Sequence, residues 1–229
     1  IVQGGEIFHD CIIPFMDKYY PISSISYIFE EDYYSFRQRA KLFNPHQPSI
    51  RKMQKMKAIR IHAYGDASQM QLDEVPVPAC GPNDVLVRVV AAGINPIDWK
   101  IRSGEVAQMI PKTFPFTLGS DAAGVVTAVG GGVSAFSPGD DVFFYAEFAR
   151  GGTYAEYVAV DASQVARMPR TVSFSTAAAL PIPGLAAWTA VIETAQVARG
   201  MRVLIHGGAG ALGSVAVQLA KAQGAHVTA

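Results

Sequence analysis

The sequence predicts a mixed α/β chain: short strands closing into a small barrel or sandwich, then the opening of a parallel sheet. Three observations predict it. Apolar and polar residues alternate in short segments between residues 57 and 168, and Gly or Pro punctuates the gaps. From residue 173 the period lengthens to that of helices, and strand, helix and strand then follow one another to the end. The composition also breaks near residue 55, because residues 1–55 hold 10 of the 23 aromatics but only Ala40 of the 33 alanines.

That leading stretch opens at Ile1 and lacks the basic start, apolar core and small-residue cleavage site of a secretory signal. It is expected to lie outside the fold. Either Met53 or Met56 is the natural start, or the stretch is a genuine appendage with one helix near Tyr33–Phe43.

The elements follow in order. Lys57–Ala63 and Met70–Val75 alternate and are joined by the Gly65-Asp66 turn, and Asp84–Ala92 is the strongest strand signal. Asn95 caps a short helix over Pro96–Ser103, with Pro96 at its first position. Gly124–Gly130, Asp141–Tyr145, Thr153–Val160 and Gln164–Met168 are further strands. Ser173–Ala179 and Leu185–Val197 are helical, Val203–His206 is a short strand, and Ala211–Gln223 is a helix. Ser214, Gln218 and Lys221 are expected to form its water-facing stripe. His226–Ala229 begins another strand, so the parallel sheet is expected to continue beyond Ala229.

Composition excludes several classes. Lys plus Arg and Asp plus Glu are 19 each, without the basic excess of a nucleic-acid binder. No uninterrupted apolar run reaches the length of a membrane span. Two cysteines cannot staple a secreted scaffold or build a cysteine-based zinc site, so a soluble cytoplasmic protein is expected.

The chemistry concentrates at HGGAGALGS, residues 206–214, between a strand and its helix. Gly208, Gly210 and Gly213 match G-x-G-x-x-G in the one context that gives the pattern meaning. Gly208 permits the tight turn, Gly210 lets backbone touch a pyrophosphate, and Gly213 allows helix and strand to pack closely. With Ala209, Ala211, Leu212 and Ser214 they form the expected cofactor cradle, where helix N–H groups and the positive dipole end meet phosphate. The alternative is a Gly-rich connector in an Ala-rich fold. His206 is taken as a buried strand-end residue. The position that separates NAD from NADP falls about 20 residues past the glycines, at or beyond Ala229.

From Met56 onward the chain resembles zinc-free medium-chain dehydrogenases/reductases of the quinone oxidoreductase (zeta-crystallin-like) group. Four blocks carry the resemblance: AAGINPIDWKIRSG (91–104), LGSDAAGVVTAVG (118–130), GGTYAEYVAV (151–160) and LIHGGAGALGSVAVQLAKAQGAHV (204–227). AAALPIPGLAAWTAV (177–191) adds a weaker fifth. The resemblance implies a GroES-like catalytic domain over 56–172 and the N-terminal part of a Rossmann-type domain over 173–229. It further implies a C-terminally truncated chain, with cofactor and substrate sharing the cleft between the domains. The implied cofactor is NADP(H) in preference to NAD. The implied partner is a small quinone or enone, with no nucleic acid or membrane, and a homodimer is the assembly considered.

Zinc-dependent relatives place a Cys and a His-Glu pair where this chain has Asn95, Ser120 and Asp121. Catalytic zinc needs three protein ligands and an open position, and no such set survives. Without zinc, charge building on the substrate oxygen must be met by hydrogen bonds, each typically worth about 10²–10³ in rate. Asn95 is the candidate catalytic donor and also a cofactor contact; its other reading is a helix cap, and the two can coexist. Lys100 stands where familiar members carry a Tyr that touches the cofactor, and is kept as a cofactor-binding candidate. Asp98 is expected to fix the loop or pair with Arg102, Asp121 to stabilise a turn, and Ser120 to be merely small. Tyr64 is placed at the cleft mouth, while Trp99, Phe143, Phe144 and Tyr145 are either cleft walls or core. Two other functions stay open: a non-catalytic fragment or nucleotide-binding structural protein, and an enoyl reductase module of a larger synthase.

Overall fold

The computed structural model describes residues 55–229. The leader readings, including a helix near Tyr33–Phe43, lie outside those residues. Three strands form one antiparallel sheet, β1 (Lys55–Ile61) between β2 (Met70–Pro76) and the short β4 (Phe116–Thr117). A second antiparallel sheet comprises β3 (Asp84–Gly93), β5 (Asp121–Val129), β6 (Asp141–Tyr145), β7 (Tyr157–Asp161) and β8 (Val165–Arg167), in the order β7-β3-β5-β6-β8. In β3 the strand period of two sends Val85, Val87 and Val89 inward. They pack with Ile61 of β1, Leu118, Val126, Val142 and Phe144, so both sheets share one apolar core.

Among the described residues four α-helices accompany the sheets: α1 (Pro96–Ser103), α2 (Phe174–Ala178), α3 (Pro181–Trp188) and α4 (Ala211–Ala222). Pro181 opens α3 at its first turn, where a missing N–H is harmless. A wider-wound turn over Thr189–Thr194 continues it, so the single helix expected from Leu185 to Val197 starts four residues earlier and changes pitch. β9 (Arg202–Leu204) and β10 (His226–Thr228) pair in parallel around α4, the expected crossover unit. A second core cluster joins this unit to the five-stranded sheet. Ala91, Ala123 and Phe143 pack with Ala177, Leu180, Val191, Val215 and Leu219.

Some expectations shift. β5 begins at Asp121, three residues before the expected Gly124, and β7 begins at Tyr157. The segment before β7 is held crosswise instead, as Ile59 N–H donates to the Tyr154 carbonyl (2.7 Å) and Tyr154 N–H to that of Leu118 (3.0 Å). Gln218 is buried rather than part of a wet stripe; its amide donates to the Ser214 carbonyl at 3.0 Å. His206 lies past the end of β9 and is exposed, contrary to the buried strand-end reading.

Candidate functional site

The inner end of β3 is crowded. A Cβ on Gly93 would run into the Ala178 carbonyl and the Asp121 side chain, so glycine lets α2 close onto this strand end. The chain then turns through Asn95, whose extended backbone caps α1. Asn95 N–H donates to Asp98 Oδ2 (2.7 Å), the reciprocal arm of a capping box. The hydroxyl of Tyr154 donates to the same oxygen at 2.9 Å. The Asn95 amide reaches across instead, with Nδ2 donating to Asp121 Oδ2 at 2.9 Å. Backbone N–H of Ile182, in the first turn of α3, donates to that oxygen at 3.0 Å.

Four side chains from three regions of the barrel thus meet one helix start from the following unit. Asn95, Asp98, Asp121 and Tyr154 are all buried. Burial pushes the Asp121 carboxyl up to about 7; Asp98 adds to the rise, while the Ile182 and Asn95 hydrogen bonds oppose it. Burial likewise raises Asp98 and the Tyr154 phenol, the latter helped by Asp98. Oδ1 of each carboxyl is buried with no hydrogen-bond partner among the described residues.

The other candidates lie around this knot. Lys100 does not reach toward the glycines: its ammonium pairs with Glu105 (3.2 Å) and sits 5.5 Å from the Trp99 ring. Asp98 does not pair with Arg102, whose Nε donates instead to the Gly65 carbonyl. Asp121 joins a strand to a helix rather than stabilising a turn. Ser120 is buried and accepts Ala146 N–H at its carbonyl (2.7 Å). Tyr64 accepts Lys112 N–H at its hydroxyl (2.9 Å), and its ring meets Phe114 edge-on. Phe143 and Phe144 are core, whereas Trp99 is exposed.

The second constellation is the loop into α4. Gly210 caps the helix without any side-chain hydrogen bond, and the first intrahelical bond runs from Ser214 N–H to the Gly210 carbonyl at 2.8 Å. The N–H groups of Ala211, Leu212 and Gly213 therefore have no partner within the helix, and its start carries no side-chain cap. Ala209, Gly210, Ala211 and Leu212 are exposed there. Ser214 turns its hydroxyl back to the Ala211 carbonyl (3.0 Å). The left-handed residue is Gly207 (φ 74°), not Gly208, and Gly210 N–H donates to its carbonyl at 2.9 Å. A Cβ on Gly213 would overlap that carbonyl, so its glycine serves the close helix–loop packing expected of it. A Cβ on Gly210 would meet only the Gly207 oxygen, at 3.3 Å. An exposed, uncapped helix start with open space above Gly210 fits a dinucleotide's diphosphate.

The sequence singled out Asn95 and the glycines as site candidates and Asp98 and Asp121 as loop- or turn-fixing groups, but not Gly207, Tyr154 or Ile182. The doublet after His206 signalled the first, and Pro181 marked the helix start that exposes the Ile182 N–H; nothing local marked Tyr154. Among the described residues the hydrogen bonds of the Asn95 knot run to Asp98, Asp121, Tyr154 and Ile182, not to the glycine loop. Nor do three or more His, Cys, Asp or Glu side chains converge there on a metal-sized site. No described helix is long and apolar enough to cross a membrane.

The sequence and fold are similar to those of known proteins. Residues 81–170 match the alcohol dehydrogenase GroES-like domain. Quinone oxidoreductase of Homo sapiens is 38% identical over 170 residues, 74% of this chain and 50% of that protein. Among solved structures, the quinone oxidoreductase from Coxiella burnetii superposes with a TM-score of 0.70 at 38% identity, covering 76% of this chain and 56% of that one. The Escherichia coli quinone oxidoreductase complexed with NADPH gives 0.67 at 33% identity, covering 75% and 51%. Over these residues the chain is similar to quinone oxidoreductases of the medium-chain dehydrogenase/reductase family. Its fold is a GroES-like domain followed by the start of a Rossmann-type domain. It spans about half the length of the curated relatives it matches.

Proposed function

We propose that this chain carries the GroES-like domain (56–172) and the first crossover unit (173–229) of an NAD(P)H-dependent oxidoreductase. Its reaction is hydride transfer to a quinone or α,β-unsaturated carbonyl, without zinc. The uncapped N-terminus of α4 behind Gly207–Gly213 carries this reading, because it offers bare N–H groups to a diphosphate where no side chain of the described residues competes. Gly208, Ala209, Gly210, Ala211, Leu212, Gly213 and Ser214 hold the cofactor. Bound there, a reduced nicotinamide supplies the hydride.

Asn95 meets the charge that develops on the substrate oxygen. Its Nδ2 carries two hydrogens; one goes to Asp121, leaving one as the donor. Zinc independence is supported by the donor set. Where zinc-dependent relatives carry their ligands, this chain has the Asn95 amide, the Ser120 hydroxyl and the Asp121 carboxylate, the last already committed to two N–H groups. NADPH in preference to NADH is supported by the complex formed by the Escherichia coli relative. Lys100 can aid that choice only by leaving Glu105. We place the protein in the cytoplasm, as its few cysteines suggest, and take a homodimer as its assembly.

The test is direct. Added to NADPH with a quinone or enal, the protein oxidises the nucleotide, and a chelator leaves the rate unchanged. Chelator-sensitive oxidation of an alcohol would overturn the reading.

A further inference from the structure

We infer that Asp121 is the positioning residue of this site: its carboxylate fixes the Asn95 amide against the start of α3 and holds it more tightly once ionised. The inference rests on the reading of Asn95 as the donor to substrate. Asn95 is the only one of the two residues with any exposure, 9% against 0% for Asp121. Asp121 therefore acts through its neighbour.

The geometry sets the amide's orientation. Asp121 Oδ2 accepts Asn95 Nδ2 at 2.9 Å and Ile182 N–H at 3.0 Å. An acceptor in that place excludes the flipped amide, which would point the Asn95 carbonyl at a carboxylate. The backbone of Asn95 is pinned separately, by its N–H on Asp98 Oδ2 at 2.7 Å. Backbone and side chain are thus held by two different acids, and the bond to Asp121 sets which way the amide faces. Ile182 ties the same oxygen to the helix start, so the donor is registered against the unit that contains the glycine loop.

Charge makes the hold adjustable. Hydrogen bonds to an ionised carboxylate are roughly twice as strong as those to a neutral one. Burial places Asp121 close to neutrality in its titration, at about 7. Among the described residues the titratable groups around it are Asp98 from α1, which raises it, Tyr154 from the segment before β7, and Tyr145 from β6. None is a cation. The unpartnered Asp121 Oδ1 takes the proton, so the neutral form keeps Oδ2 facing both N–H groups with weaker bonds.

The experiment follows the Asn95 side-chain amide by ¹H–¹⁵N NMR in the full chain, from about pH 5 to 9. The expected resonance moves with a midpoint near 7 in the unaltered protein. It becomes flat in Asp121→Asn, and its midpoint falls in Asp98→Asn, where the like charge is gone. Should Asp121→Asn fail to fold, the Asp98→Asn shift carries the test. In turnover, Asp121→Leu lowers kcat by about 10-fold to 100-fold while leaving the nucleotide KM in place. A resonance that ignores pH, or that titrates identically in Asp121→Asn, overturns the assignment. If the resonance titrates as stated but no quinone or enal draws NADPH oxidation, the reductase reading falls and the Asp121 assignment stands.

Discussion

At Gly210 and Gly213 the same added methyl group has different consequences. On Gly213 a Cβ would overlap the Gly207 carbonyl, so the loop must move before any ligand arrives. On Gly210 it would meet that oxygen at 3.3 Å and otherwise point into the open space where a diphosphate would lie. Gly213→Ala is therefore expected to lower both the melting temperature and nucleotide binding. Gly210→Ala is expected to cost little stability yet weaken binding at least tenfold, as read by thermal shift with and without NADPH. Asp121 adds a pH dependence to stability. Its folded-state value, about 7, lies above the ordinary 3.8, so the folded protein holds more protons between those values. Stability from this group is complete below about pH 4 and is lost as pH rises to 7. Urea midpoints of the unaltered protein should fall across that window more than those of Asp121→Asn; parallel curves would refute the buried-acid account. The glycines and Asn95 were legible as residues because each sits at an element boundary. The Asn95–Asp121 bond, which spans 26 positions in the chain, is set by the pairing of β3 with β5 and leaves no local trace.

The crossover helix takes its position from packing rather than from its turn. Leu219 of α4 is fully buried and packs in the cluster with Leu180, Ala187 and Val191. Leu219→Ala should destabilise the fold by about 2–5 kcal/mol. Denaturant unfolding measures this, and a loss under 1 kcal/mol would mean that α4 is not anchored there. Most elements were readable. The alternation of Val85, Val87 and Val89 marked β3, and Pro96 marked the start of α1. What escaped was set by tertiary contact. β4 is two residues held by pairing with Arg60 and Ile61, too short to show a period. Residues 153–155 alternate like a strand but are held by β1 and Leu118. Pro181 and Pro183 look like breakers, yet the first opens α3 and the second lies within its first turn, before N–H groups are needed.

On the scale of the whole molecule, the barrel and the crossover unit are not independent. One apolar cluster runs from Ala91, Ala123 and Phe143 to Val215 and Leu219, and the Asp121–Ile182 bond crosses the same seam. The chain's two tryptophans report the two sides, Trp99 on α1 and Trp188 on α3. Thermal unfolding followed separately in Trp99→Phe and Trp188→Phe should give coincident midpoints; midpoints several degrees apart would show two uncoupled units. The bare start of α4 is proposed to grip a dinucleotide's diphosphate. Calorimetric titration of NADPH into the unaltered protein and into Gly210→Ala tests it most directly. A one-site isotherm is expected for the unaltered protein and its collapse in the variant, with both proteins equally folded. Equal affinity in the two, or no heat from the unaltered protein, would contradict it.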